Sequence, residues 1–191
     1  MRVRSQLNRI ECIAAFARVR AGAAVIVSPG LAGYELYRAG AEYATIYNMD
    51  MPYASPMCLG LALSCSEQRV VAIEGDGSML MALGVFTTVA RYQPANLGII
   101  VFDNGHYVTT GDGQVPTATS AGTDLAAIAR AAGIAAEPGP WVIVAKVDAS
   151  DRTSYGERGG FAYDIVEQAV LCQRELRWRR GAVDDTRVPS P

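Results

Sequence analysis

The sequence predicts an α/β fold, a three-layer doubly wound parallel sheet, and three observations carry that prediction. Half of the 191 residues are hydrophobic and the mean hydropathy is +0.14, enough for one domain with a full core. Short apolar, β-branched runs such as Val70-Val71-Ala72-Ile73 and Leu97 to Phe102 alternate with helical patterns. Glycine and proline fall between them, and strands this apolar need helices on both faces.

The elements follow in order. Ser5 reads as an N-cap, and Leu7, Ile10, Ile13, Ala14 and Ala17 make one apolar helix face that Gly22 ends. Ala24 to Ser28 is a buried strand stopped by Pro29-Gly30, residues 31–39 form a short helix, and residues 43–47 a second strand. A helix over 53–65 leads to a strand over 70–74. A helix over 79–91, apolar nearly all round and so expected to be buried, leads to a strand over 97–102. A helix over 124–132, a strand over 142–147 and a last helix around 160–178 complete the pattern. Residues 1–180 therefore read as one domain, and 181–191, rich in charge and proline, as a flexible tail.

Composition removes several functions. The formal charge is −2, Lys146 is the only lysine among 17 basic residues, and no basic cluster interleaves with aromatics, so no nucleic-acid groove is expected. No apolar run reaches the roughly 18 residues of a membrane span. Arg2, Arg4, Arg9, Arg18 and Arg20 follow a helical pattern with no signal-peptide core, so the expected location is cytoplasmic, without a membrane. Cys12, Cys58, Cys65 and Cys172 form no CxxC pair, which disfavours zinc, iron–sulfur clusters and disulfides and leaves small buried hydrophobes. The apolar surplus points to a partner chain.

The chemistry concentrates between residues 74 and 104. Asp76 sits between Gly75 and Gly77 at the end of one strand, and Asn104 ends the next. In a doubly wound sheet ligands bind beyond the C-terminal strand ends. Mg²⁺ takes six oxygens at about 2.0–2.1 Å, commonly phosphate oxygens with one or two carboxylates. Asp76 would give one oxygen, the Asn104 amide a second and the His106 carbonyl a third, with diphosphate and water supplying the rest. Gly75 and Gly77 would let the backbone approach closely, and Ser78 opens a helix whose free N–H groups favour an anion. Gly-Asp-Gly alone is a weak signal; with 26 residues between Gly77 and Asn104 it becomes a strong one.

The run from Gly75-Asp76-Gly77-Ser78 to Asp103-Asn104 resembles the motif of the thiamine-diphosphate-dependent enzymes. More closely, residues 74–114 resemble the cofactor-binding half of sulfopyruvate and phosphonopyruvate decarboxylases, and the likeness extends weakly over about 22–147. The resemblance implies a thiamine-diphosphate-binding fold, with thiamine diphosphate and Mg²⁺ as cofactors. It implies Asp76, Asn104 and His106 as metal ligands, Gly77 and Ser78 at the diphosphate, and Gly75 and Tyr107 in the same cofactor site. Met51 aligns with the hydrophobic wedge that bends the cofactor, and the Met49 carbonyl with the acceptor for its 4′-amino group. Read as residues alone, the two methionines fit a core or an interface equally well.

Two segments depart from the family pattern. Met49-Asp50-Met51-Pro52 replaces a Gly-Ser-Met-Gly-like turn, restricting the backbone and adding the anion Asp50 near the site. After Asn104, Val108 replaces a glycine and Asp112 is inserted in Gly111-Asp112-Gly113-Gln114, a second Gly-Asp-Gly that reads as a turn. Gln114 and Tyr107 fit either substrate contacts or packing. The chain between Ile134 and Trp141 is short beside the family, as if a helix were trimmed.

By the same resemblance the chain is the cofactor-binding subunit of a split 2-oxo acid decarboxylase, a carboxy-lyase. A separate pyrimidine-binding subunit would supply the glutamate that protonates the pyrimidine ring, and most proton-relaying catalytic residues are expected on that partner. A split carboligase of acetolactate-synthase type and a non-catalytic cofactor-binding subunit are the alternatives.

Overall fold

The computed structural model describes residues 7–20, 22–108, 115–134, 139–148, 161 and 164–179. In chain order these form α1 (Arg9–Val19), β1 (Ala24–Val27), α2 (Leu31–Ala39), β2 (Thr45–Ile46), α3 (Ala54–Ser64), β3 (Val70–Gly75) and α4 (Asp76–Met81). There follow α5 (Gly84–Tyr92), β4 (Leu97–Asp103), β5 (His106–Tyr107), β6 (Val115–Pro116), α6 (Leu125–Ala132), β7 (Trp141–Lys146) and α7 (Ile165–Arg179). Ser5, Asp112, Gln114 and the tail from 181 lie outside the described residues.

Five strands pair in the order β2-β1-β3-β4-β7, all parallel. The predicted doubly wound sheet is therefore present. Side chains alternate across it: Val25, Val27 and Ile73 meet Ile13 of α1 and Leu36 of α2. Ile26, Ala72, Ile99 and Val101 meet Cys58 of α3, Phe86 of α5, Leu125 of α6 and Leu176 of α7 on the other face. The chain reverses its direction of winding between β1 and β3, and the crevice beyond those strand ends is where such sheets bind ligands.

Several elements differ from expectation, each for a local reason. Helix α1 begins at Arg9, capped by Asn8, whose side chain accepts the Glu11 N–H. Its inward face is centred on Ile13, with Arg9 and Arg20 buried at its ends and Ile10 turned outward. Arg9 is buried because it forms an ion pair with Glu35 of α2 at 2.7 Å. Strand β2 spans two residues, not five, and its edge is met by α7, where Gln168 Oε1 accepts the Tyr47 N–H at 2.8 Å.

The expected helix over 79–91 is two helices. The first already starts at Asp76, and the break falls at Ala82-Leu83, where the Ala82, Val85 and Phe86 N–H groups bond three residues back. The break also turns Met81 outward, 58% exposed, so the run is not buried all round. The hairpin β5–β6 and a 3-10 turn over Ala118–Ala121 were not expected from the pattern. Of the four cysteines, Cys58 and Cys172 are buried as expected, whereas Cys12 and Cys65 are partly exposed. No helix among the described residues is long and apolar enough to cross a membrane.

Candidate functional site

Strands β1, β3 and β4 end at one open cleft, whose wall includes Ser28, Met51, Asp76, Asn104, His106 and Tyr107. Gly75, Gly77 and Ser78 line it as well. Eight of the nine predicted cofactor residues thus meet in one place. The ninth, Met49, packs its side chain against the core on the α3 side of the sheet, which is the bland alternative for that methionine. Asp50 is exposed and lies outside the cleft lining, so the expected extra anion does not face the site.

Asp76 opens α4 immediately beyond β3 and is 2% exposed. Its Oδ2 accepts hydrogen bonds from Thr117 and, at 2.9 Å, from Thr119. The same Thr119 hydroxyl lies 2.7 Å from Asp103 Oδ1. One hydroxyl carries one proton, so Thr119 serves these two buried carboxylates in alternation. Asp103, at the end of β4, also pairs with Lys146 of β7. Burial raises the Asp76 pKa, the two threonine bonds lower it, and the Asp103 charge raises it further. Both threonine bonds go to Oδ2, and neither uses the second oxygen, Oδ1.

The end of β4 is built from two turns. Asp103 Oδ1 accepts the Gly105 N–H at 3.2 Å, and Asn104 Oδ1 accepts the His106 N–H at 3.0 Å. Gly105 takes φ +74°, the left-handed conformation that glycine adopts without strain. The chain then runs back as β5, with His106 opposite Pro116 and the Thr117 N–H on the Gly105 carbonyl at 2.8 Å. In that register His106 lies at a non-hydrogen-bonded pair, so its carbonyl points away from β6. Its imidazole Nδ1 sits 3.1 Å from the Asn104 carbonyl oxygen.

Gly77 is needed for a different neighbour than expected. A Cβ there would lie 2.3 Å from the Tyr107 ring, so the space the missing side chain opens is filled by tyrosine, whereas Gly75 faces open space. Tyr107 therefore packs on the Gly-Asp-Gly turn. Two buried atoms lining the cleft, Glu74 Oε2 and Ser78 Oγ, lie close together without a well-formed hydrogen bond. Burial raises the Glu74 pKa, against bonds from neighbouring serines that lower it.

Sequence reasoning missed Thr117, Thr119, the bridging role of Asp103, and Arg9, which also lines the cleft. Asp103 was legible as an acid beside Asn104. The threonines were not, because they reach Asp76 through a hairpin that no periodicity announces. Among the described residues no three His, Cys, Asp or Glu side chains gather as a metal centre. A cation placed here would meet one carboxylate, an amide and a carbonyl, and would have to complete its shell from its own ligand.

Residues 31–151 match the family described as thiamine pyrophosphate enzyme, C-terminal TPP binding domain. The chain is 43% identical over 106 residues to sulfopyruvate decarboxylase subunit beta of Methanothermobacter thermautotrophicus, covering 55% of this chain and 57% of that protein. It is 39% identical over 112 residues to phosphonopyruvate decarboxylase of Streptomyces viridochromogenes, covering 58% of this chain and 27% of that protein. The matched region thus spans little more than half of the first relative and about a quarter of the second. Among solved structures, the thiamine diphosphate-dependent 4-hydroxybenzoylformate decarboxylase of Rhodococcus jostii RHA1 superposes with TM-score 0.56 at 17% identity, over 78% of this chain and 34% of that one. That likeness is one of fold.

Proposed function

Because the chain belongs to the thiamine pyrophosphate enzyme family through its C-terminal TPP binding domain, we propose that it is the cofactor-binding subunit of a split, cytoplasmic 2-oxo acid decarboxylase. The substrate class is that of sulfopyruvate or phosphonopyruvate, and the working enzyme needs a separate pyrimidine-binding subunit. The observation that carries the reading is the meeting of Asp76, Asn104 and His106 at the ends of β3 and β4, in a chain with this similarity to a decarboxylase subunit.

The residues fit Mg²⁺ and a diphosphate. Asp76 keeps one oxygen clear of its threonine bonds, Asn104 Oδ1 accepts a single N–H and has a second lone pair, and the β5–β6 ladder does not use the His106 carbonyl. Ser78 offers a buried hydroxyl that makes no well-formed hydrogen bond. Bound thiamine diphosphate supplies the carbon nucleophile and the electron sink for loss of CO₂.

The chain's own residues then have separable tasks. Asp76, Asn104 and the His106 carbonyl hold the cation. Ser78 and the first N–H groups of α4 take diphosphate oxygens. Met51, on the cleft wall, would give the cofactor an apolar wedge, and the Met49 carbonyl would be the acceptor for its amino group. Tyr107, packed on Gly77, keeps the turn shaped and excludes water from one side.

Calorimetric titration of the chain with thiamine diphosphate in MgCl₂ tests the cofactor half of this reading, with saturable, Mg²⁺-dependent binding expected. Supplying a pyrimidine-binding subunit and following CO₂ from sulfopyruvate or phosphonopyruvate tests the other half. An acyloin product instead of an aldehyde would reassign the chain to a carboligase.

A further inference from the structure

Glu74 is the penultimate residue of β3, the central strand, and only 1% exposed. The sheet has no need of a carboxylate there, since its neighbours on the strand are apolar or glycine and burying the charge is unfavourable. Its Oε1 accepts two bonds from one residue, the Ser55 N–H and the Ser55 hydroxyl, both at 2.8 Å. Ser55 is the second residue of α3, and that helix has no side-chain cap of its own, because Tyr53 holds the N-cap position. Glu74 therefore satisfies the helix end from a different element. Its Oε2 lies close to the Ser78 hydroxyl, 3% exposed, without a well-formed hydrogen bond to it or to any other group.

The elements so joined are the ones that build the site. The chain enters α3 through the turn that carries Met49 and Met51, and leaves β3 through the turn that carries Asp76 and Ser78. A third strand end is fastened at the same point, where Ser28 at the exit of β1 accepts the Gly75 N–H at 3.1 Å. A local cap at residue 53 would hold α3 equally well but would leave these turns independent.

We propose that Glu74 is a positioning residue whose carboxylate fixes the Met51 turn to the Asp76–Ser78 turn and so sets the span of the cofactor cleft. The meaning of that span rests on the function proposed above; the tie itself does not.

The test uses the full chain with two readouts, hydrogen exchange without ligand and calorimetry with thiamine diphosphate and MgCl₂. Glu74→Ala should raise exchange both over residues 53–57 and over 76–79 and weaken cofactor binding about tenfold. Glu74→Gln keeps an oxygen for Ser55 and offers an N–H to Ser78, so it should restore protection in both segments and most of the affinity. Val89→Ala, a core truncation on α5, should lower Tm and leave exchange over 76–79 and affinity unchanged. Should Glu74→Ala not fold, Ser55→Ala removes the hydroxyl bond and leaves the N–H bond, and a smaller rise in exchange over the same two segments is read in its place. Faster exchange confined to 53–57 would overturn the proposal, since Glu74 would then be a cap and no more. An affinity loss in Val89→Ala matching that in Glu74→Ala would overturn it too. A wild-type chain that binds no thiamine diphosphate defeats the proposed function, while the exchange readout still decides the tie.

Discussion

Asp76 is a carboxylate that its surroundings push toward the neutral form, by burial first and by Asp103 afterwards, with two threonine hydroxyls working in the opposite direction. An acid whose folded pKa is raised contributes stability at low pH that is lost as pH rises from its unfolded value through the folded one. Asp76→Asn should therefore raise the Tm of the ligand-free chain at pH 7, with the gain fading toward acid, while removing Mg²⁺-dependent cofactor binding. Thermal melts across pH, paired with calorimetry, check both signs; a variant that binds the cofactor as wild type does would end the metal-ligand assignment. Thr119→Val keeps the shape and removes the hydroxyl shared by Asp76 and Asp103, so cofactor affinity in MgCl₂ should fall about tenfold, in the range usual for groups that orient a metal ligand. The cysteines divide on similar grounds. Burial pushes the Cys172 thiol up to about 11 and that of Cys58 well above its usual range, so at pH 8 iodoacetamide should label Cys65 in the native chain and spare Cys58 and Cys172, as peptide mass spectrometry will show.

Elements with a clear period were legible, and those made by contact were not. The strands of the parallel sheet and most of its helices follow from runs of Val, Ile and Ala between glycines, because burial on both faces leaves a continuous apolar signal. The break between α4 and α5 left no such mark, since Met79 to Val89 is apolar on both sides of it. The β5–β6 hairpin was illegible for another reason: its strands are two residues each, and its pairing is set by the Gly105 turn and the Thr117 N–H. Asp76 and Asn104 came from a motif whose spacing encodes two strand ends, and the other candidate cofactor residues from the turns beside it and the family resemblance, whereas Glu74, Thr117 and Thr119 act through partners 16 to 43 residues away. Glycine shows how far the element context decides a substitution. In α2, a Cβ on Gly33 would sit 1.9 Å from the Tyr47 carbonyl oxygen, a backbone atom, so Gly33→Ala should cost about 2–3 kcal/mol. In α5, Gly84 faces open space, so Gly84→Ala should be neutral or stabilise by up to about 1 kcal/mol. Urea titrations of the two variants should move in opposite directions, and parallel losses would mean that α2 does not pack on the β2 exit as described.

At the scale of the whole molecule, one cleft carries all the candidate chemistry, and it is one-sided. Among the described residues its acids are Asp76, already assigned to the cation, and Glu74, whose Oε1 is bound to Ser55. Both carboxylates already have protein partners, and the histidine that lines the cleft has its Nδ1 against the backbone. Helix α3, which starts beside Met51, has no charged residue, yet its N-cap Tyr53 and Met57 and Leu63 along it are 55%, 41% and 47% exposed. A helix apolar on its outer face is stable in a covered setting, and obligate interfaces of about 2,000 Å² or more are apolar in this way. The purified chain should therefore bind the cofactor weakly and turn over no 2-oxo acid, and should gain both tight binding and decarboxylation when a pyrimidine-binding subunit is added. Mass measurement under native conditions should show the two polypeptides together in the active fraction. Decarboxylation by a preparation whose mass shows this chain alone would contradict the split-enzyme reading, because the proton-transfer groups would then have to come from the chain itself or from a second copy of it.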